Sequence, residues 1–252
     1  MVLLGGDLLP HHYLNKNFIF DFLQPNLQSL KTKLEIHYPK IFLILGNDDA
    51  RIEEPLILEL ENKLLIEYIH FRKFNFLEHD IYGYAFTPPS PFLLKDWEKY
   101  DVSRYVDIGA VSPEEGIRTV DIDKDKIQHS TISDDLKELS ENSPVKKTIF
   151  LFHSPPYNSL LDRAGLDNKK VDHAPIDVHV GSIAIQKFIK KRQPLLTLHG
   201  HVHETVRLTG KWREKTGKTF SFSAAHEGPE LAVIRFDMDD LDNASRELIT
   251  TF

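Results

Sequence analysis

The run Leu195-Leu196-Thr197-Leu198, followed by His199-Gly200-His201-Val202-His203, decides how this chain is read. A short, mostly apolar run bounded by turn residues is the pattern of a strand buried on both faces, as in a parallel sheet. This one stops at imidazoles set around a glycine. His201 and His203, one residue apart, can point the same way from an extended segment. Three other apolar runs stop in a similar manner. Residues 2–4 lead into Gly5-Gly6-Asp7, residues 41–45 into Gly46-Asn47-Asp48-Asp49, and residues 148–152 into His153-Ser154-Pro155. In open α/β sheets, ligands bind outside the carboxyl ends of the strands. A glycine beside each polar residue lets the backbone turn tightly enough for side chains to share a centre. Carboxylate, amide oxygen and imidazole together suit Mn, Fe, Zn or Mg. Asp7, Asn47, His153, His201 and His203 are therefore candidate metal ligands, although each alone would pass for a turn former, a helix cap or a loop histidine.

Composition narrows the rest. The 252 residues are 41% hydrophobic and 27% charged, the balance of a folded globular chain rather than a disordered one. Thirty-one basic against 38 acidic residues leave a net charge of −7, which disfavours non-specific nucleic-acid binding. With no cysteine there are no disulfides, thiolate metal sites or cysteine nucleophiles. No signal peptide and no run of about 18 apolar residues is visible, so the expectation is a cytoplasmic protein without a membrane span. No linker or fixed-period repeat divides the chain, and residues 1–252 are expected to form one domain.

Helices are expected over residues 17–37 (with Pro25 as a kink or restart), 133–141 (capped by Ser133) and 182–192. Residues 219–223 and 231–236 read as further strands. The proline-rich stretch from Thr87, continuing to Ser112, reads as a surface excursion, either a lid over a site or a packed loop.

Taken in order, these motifs resemble the calcineurin-like metallophosphoesterases, in particular the small bacterial and archaeal phosphodiesterase-like members. The resemblance runs from Gly6-Asp7 to Gly200-His201-Val202-His203. Its most specific part extends from His153-Ser154-Pro155-Pro156-Tyr157, through Gly181-Ser182 and Gln193-Pro194-Leu195-Leu196, to His203-Glu204. It implies an α/β fold, a four-layer α/β/β/α sandwich with two divalent metals at the strand ends. Asp7 would bridge both metals. Asn47, His153 and His201 would bind the second, and His203 the first. Two cations roughly 3.5–4 Å apart clamp the oxygens of a phosphate ester, and the hydroxide between them attacks phosphorus. The implied partner is a small phosphate-ester substrate, such as a nucleotide diester.

Two positions depart from the family pattern. Where the family has Gly-Asn-His, this chain has Gly46-Asn47-Asp48. Asp48 is the candidate catalytic residue by position, but an ionised carboxylate is a poor acid toward a leaving group, and it reads equally as a helix N-terminal residue. The family's opening Asp-x-His motif has no counterpart before Asp7. Asp80-Ile81-Tyr82-Gly83 lacks the histidine, Asp177-Val178-His179 falls in a loop, and the acidic run Asp121 to Asp125 reads as a solvated turn; His226 also reads as a loop residue. The expectation is a domain that lacks the family's first strand and helix through N-terminal truncation. It would hold at most one metal near His153 and His201, with impaired activity. An unpaired sheet edge would invite a homo-oligomer. The alternative is a catalytically degenerate scaffold of the same fold.

Overall fold

The computed structural model describes residues 1–10, 18–141 and 147–250. Strand β1 (Val2–Gly5) runs parallel to β2 (Ile41–Ile44), with Val2 opposite Ile41 and Gly5 opposite Ile44. Between them a widened helical turn over Phe18–Leu23 leads into α1 (Gln24–Leu34). The start expected at Asn17 lies outside the described residues. Pro25 sits in the first turn of α1, where its missing N–H costs nothing, so it opens the helix instead of kinking it. Helix α2 (Glu54–Asn62) then returns the chain to β3 (Glu67–Tyr68), completing a three-stranded parallel sheet in the order β1-β2-β3.

A second sheet starts with the hairpin of β4 (Lys73–Phe76) and β5 (His79–Tyr84). After α3 (Lys124–His129) and α4 (Ile132–Ser140), β6 (Thr148–Phe152) joins β5 in parallel. A small ribbon of β7 (Lys170–Val171) and β8 (Ala174–Pro175) precedes α5 (Ile183–Arg192) and β9 (Leu196–His199). Helix α6 (Thr205–Thr209) and strands β10 (Arg213–Thr216) and β11 (Thr219–Ser223) complete a six-stranded sheet in the order β10-β11-β9-β6-β5-β4. The chain ends in a hairpin of β12 (Leu231–Asp237) and β13 (Asp240–Ile249).

The two sheets face each other. The ring of Phe42 on β2 meets those of Phe74 and Phe76 on β4 at 6.0 and 5.9 Å. At Gly83 a Cβ would lie 2.8 Å from Ile44 of the opposite sheet. On the outer side of the second sheet, Phe188 of α5 packs 4.8 Å from Phe150, while Ile57 and Leu60 of α2 bury into the same core as β2. The result is the four-layer α/β/β/α sandwich, with the ends of β1, β2, β6 and β9 at one rim. Among the described residues β1 pairs with β2 on one side only. Its other edge borders a groove of about 810 Å³, whose far wall is β12. No helix among the described residues is long and apolar enough to cross a membrane.

Two expectations shift. Helix α4 is capped by Thr131, not Ser133: Thr131 Oγ1 accepts the Asp134 N–H at 3.1 Å and donates to the Asp134 carboxylate at 2.7 Å. Asp134 lies three residues after Thr131, the spacing that makes such a reciprocal cap. The stretch 87–112 is divided: Lys95, Asp96, Trp97 and Glu98 are buried, whereas Phe92 and Leu93 before them, and Tyr105 and Ile108 after, are exposed. Trp97 donates its indole N–H to the Asp49 carbonyl at 2.8 Å, and Glu98 accepts from Lys95 and from both the backbone and hydroxyl of Ser90. Partners this well matched are what allow charged residues into a core.

Candidate metal centre

The candidate ligands leave the ends of strands, Asp7 and His201 through constrained turns and His153 directly after β6. After β1, Gly6 and Asp7 both take positive φ, +96° and +53°. After β9, His201 does the same at +70°. These two turns bring the Asp7 and His201 side chains back over the strand ends. At Gly46 a Cβ would come within 2.3 Å of Asp7 Oδ1 and 2.5 Å of His153 Cε1. Glycine is therefore required there for packing.

His153 is buried, and its Nδ1 lies 2.7 Å from the Gly5 carbonyl, which can only accept, so Nδ1 carries a proton. Its Nε2 faces Asn47 Oδ1 at 2.9 Å and Asp7 Oδ2 at 3.2 Å. His201 brings Nδ1 to 2.6 Å from the same Asn47 oxygen. Asn47 donates its amide N–H to Asp48 Oδ1 at 2.9 Å, which turns Oδ1 toward both imidazoles. Asp7 Oδ1 accepts the backbone N–H of Asp48 at 3.0 Å, leaving Oδ2 for the centre. One ligand atom from each of Asp7, His153 and His201 lies within 4.8 Å of the others. His203 stands apart, half exposed, with Nε2 3.9 Å from Asp7 Oδ2.

Electrostatics favour a positive charge at this point. Burial disfavours charge on His153, but the Asp7 carboxylate and the Gly5 carbonyl prevail and push its pKa up to about 9. Burial likewise opposes the charge of Asp7, yet His153, His203 and the Asp48 N–H hold it well below the usual carboxylate range. Burial and the neighbouring His153 charge drive His201 down to about 3, so its imidazole is neutral. The proton on His153 Nε2 occupies the place a divalent cation would take. A carboxylate, an amide oxygen and two imidazoles around that place form a hard-to-borderline donor set that fits such an ion.

Asp49 has a role that the sequence motifs do not assign. It is fully buried and accepts the N–H groups of Gly46, Leu9 and Leu8 at 2.8, 2.7 and 3.3 Å, tying the β1 and β2 turns together. Burial and the Asp7 charge raise its pKa to about 6. The signal for it in the sequence is its place in the acidic run after Gly46, shared with Asp48. The residues weighed as substitute ligands have other partners. Asp80 pairs with Lys73 at 2.8 Å inside the β4–β5 hairpin, Asp123 caps α3, and His226 contacts Glu230 at 2.9 Å. His179 Nδ1 lies 2.7 Å from Asp162, and Asp177 accepts from the Tyr157 hydroxyl at 2.6 Å.

The sequence pattern of the calcineurin-like phosphoesterases matches residues 1–205, and the chain belongs to that family of metal-dependent phosphoester hydrolases. One solved structure aligns with 94% of this chain and 74% of its own length, at 19% identity and a TM-score of 0.56, a likeness of fold. The protein TT1561 of Thermus thermophilus aligns at 15% identity over 90% of this chain and 80% of its own, with a TM-score of 0.48. The phosphopantetheinyl hydrolase (PptH) of Mycobacterium tuberculosis aligns at 11% identity over 89% and 78%, with a TM-score of 0.49. No curated protein matches the chain.

Proposed function

We propose that this chain is a phosphodiesterase-type member of its family, acting on a small phosphate ester, with Asp7, Asn47, His153 and His201 holding one divalent ion. The observation that carries this reading is the convergence of Asp7 Oδ2, Asn47 Oδ1, His153 Nε2 and His201 Nδ1 at the strand ends. When bound, the ion supplies Lewis acidity toward a phosphoryl oxygen and lowers the pKa of a coordinated water. The chain does the rest. Gly5 fixes the His153 tautomer, Asp48 fixes the Asn47 amide, and Asp49 holds the two turns in register. Asp48 is a positioning residue in this reading, because its carboxylate is engaged with Asn47.

For a second ion the chain offers Asp7 and His203, with the Asp48 carboxylate near enough to act on His203, a sparser and more exposed set than the one around His153. Low turnover therefore accompanies single-ion binding, and manganese is the first ion to test. The measurement is metal content by elemental analysis, together with Mn²⁺-dependent hydrolysis of bis-p-nitrophenyl phosphate and of the monoester. About one ion per chain, diester turnover above monoester turnover, and loss of both ion and turnover in His153→Ala are expected. A folded wild-type chain that retains no divalent ion would instead establish the degenerate scaffold.

A further inference from the structure

Beside the candidate metal centre lies a cavity of about 240 Å³, and His201 forms part of its wall. Its other walls come from two loop stretches, residues 88–110 and 157–183. They supply Val102, Tyr105, Ile108, Leu166, Val171 and Ile176. Tyr105, Ile108 and Val171 are large apolar or aromatic side chains left exposed, at 69, 44 and 39%. The two stretches meet at Gly109, where a Cβ would lie 3.5 Å from Val171 and 3.6 Å from Ile176. A concave, largely apolar space that shares a histidine with a metal centre has the form of a small-molecule subsite.

Charge limits what can enter. Among the described residues no lysine or arginine lines the cavity, whereas Asp101, Asp107 and Asp177 do, with His179 paired to Asp162. Burial, and then the nearby Asp177 carboxylate, disfavour ionisation of Asp107 and raise its pKa. An additional phosphate or carboxylate on the substrate would meet like charge with no lysine or arginine to offset it.

Resting on the phosphoesterase reading above, we propose that this cavity receives the organic group of the substrate and selects phosphoesters of compact, apolar alcohols bearing no further anion. The reacting phosphate would lie at His201, and the carbon skeleton would run between the two loops, against Ile108 and Ile176. The ordering follows from chemistry: the phosphate needs the cation, and the apolar walls offer it nothing.

The test uses three non-hydrolysable probes on the Mn²⁺-loaded full chain, with dissociation constants from isothermal titration and ligand-observed NMR. Methylphosphonate reaches only the metal centre, phenylphosphonate adds a ring, and 4-carboxyphenylphosphonate adds a ring with an anion. Phenylphosphonate is expected to bind roughly ten- to a hundredfold tighter than methylphosphonate, the range that burying a phenyl-sized group provides. The carboxylate should remove most of that gain. Ile176→Trp, which fills the cavity, should abolish the gap between phenyl and methyl while metal content and methylphosphonate binding persist. Ile108→Glu, at an exposed loop position, provides a second variant with the same expected loss. Equal binding of methyl- and phenylphosphonate by the metal-loaded wild type overturns the inference and leaves the metal-centre reading intact. A gap that survives both substitutions overturns it too. Failure of all three probes to bind metal-loaded protein overturns both readings together.

Discussion

Gly46 is the residue on which the candidate centre depends without contributing a donor atom. The nearest atoms to a Cβ there belong to Asp7 and His153, at 2.3 and 2.5 Å, together with the Asp7 backbone nitrogen at 2.6 Å. Neither side chain is free to retreat, since His153 is held to Gly5 and Asp7 to the Asp48 N–H. Gly46→Ala is therefore expected to weaken Mn²⁺ binding by at least about tenfold and to cost ~1–3 kcal/mol of stability, the usual scale of overpacking. Calorimetric metal titration and urea denaturation check both. Gly210→Ala is the control: Gly210 has positive φ and nothing within 4 Å of its would-be Cβ, so the substitution should cost stability through the backbone alone and leave Mn²⁺ binding unchanged. That Asp7, Asn47, His153 and His201 come together can be anticipated because each follows a glycine or the last residue of an apolar run. The supporting contacts cannot. Asp48 and Asp49 are adjacent residues of one type, and only the fold shows that one orients Asn47 while the other is buried under three N–H groups.

At the scale of elements, α5 is held from a distant part of the chain. Ser182 caps it, accepting the Ile185 N–H at 3.1 Å. The buried Asp101 then accepts the Ser182 hydroxyl at 2.5 Å, the Ile183 N–H at 2.6 Å and the Ala184 N–H at 3.2 Å. A carboxylate at a helix N-terminus satisfies orphan donors and complements the dipole. Asp101→Ala leaves three donors buried without it, and about 2–4 kcal/mol of destabilisation is expected in urea melts. Asp101→Asn, which keeps one acceptor oxygen, should lose less. This cap explains why 87–112 is hard to read from sequence. The prolines that open it suggest exposure, but Trp97 and Asp101 in its middle reach Asp49 and α5, contacts that no local pattern encodes. The buried strands β2, β6 and β9 are legible because all their residues are apolar or nearly so. Strands β4 and β13 are harder to read, because Lys73-Phe74-Asn75-Phe76 alternates over only four residues, and Asp240–Ile249 buries only Leu241 and Ala244.

For the whole molecule, the pH dependence of stability follows from groups that oppose one another. His70 is packed among aromatic rings, 5.0 Å from Trp97 and 5.2 Å from Phe86, and its Nδ1 accepts the Ala85 N–H at 3.0 Å. Burial, then Arg51 and other nearby cations, lower its pKa to about 3, and burial lowers His199 to about 4. An unfolded histidine takes up a proton near pH ~6.5. Between that value and 3–4 the unfolded chain binds protons that the folded one does not, so these two residues remove stability as pH falls. Glu98 and Asp49 act in the other direction. Burial raises them to about 7 and about 6, so the folded state keeps protons that unfolded carboxylates release above about pH 4.5. Between about pH 4.5 and 6 these two carboxylates oppose His70, His199 and also His201, which is likewise lowered to about 3, so in the metal-free protein the opposing contributions cancel only in part. Above about pH 6.5 the raised pKa of His153, about 9, makes stability fall as pH rises. His70→Gln keeps an acceptor for Ala85 and removes one of the lowered histidines from the set. Relative to wild type, the variant should gain stability as pH drops from about 6.5 to 4.5, by up to about 1.4 kcal/mol per pH unit for one proton. Urea denaturation of chelator-treated protein at half-unit pH intervals measures this difference. Parallel curves for the two proteins would mean that His70 is protonated alike in the folded and unfolded states, and that the aromatic cluster does not hold it neutral.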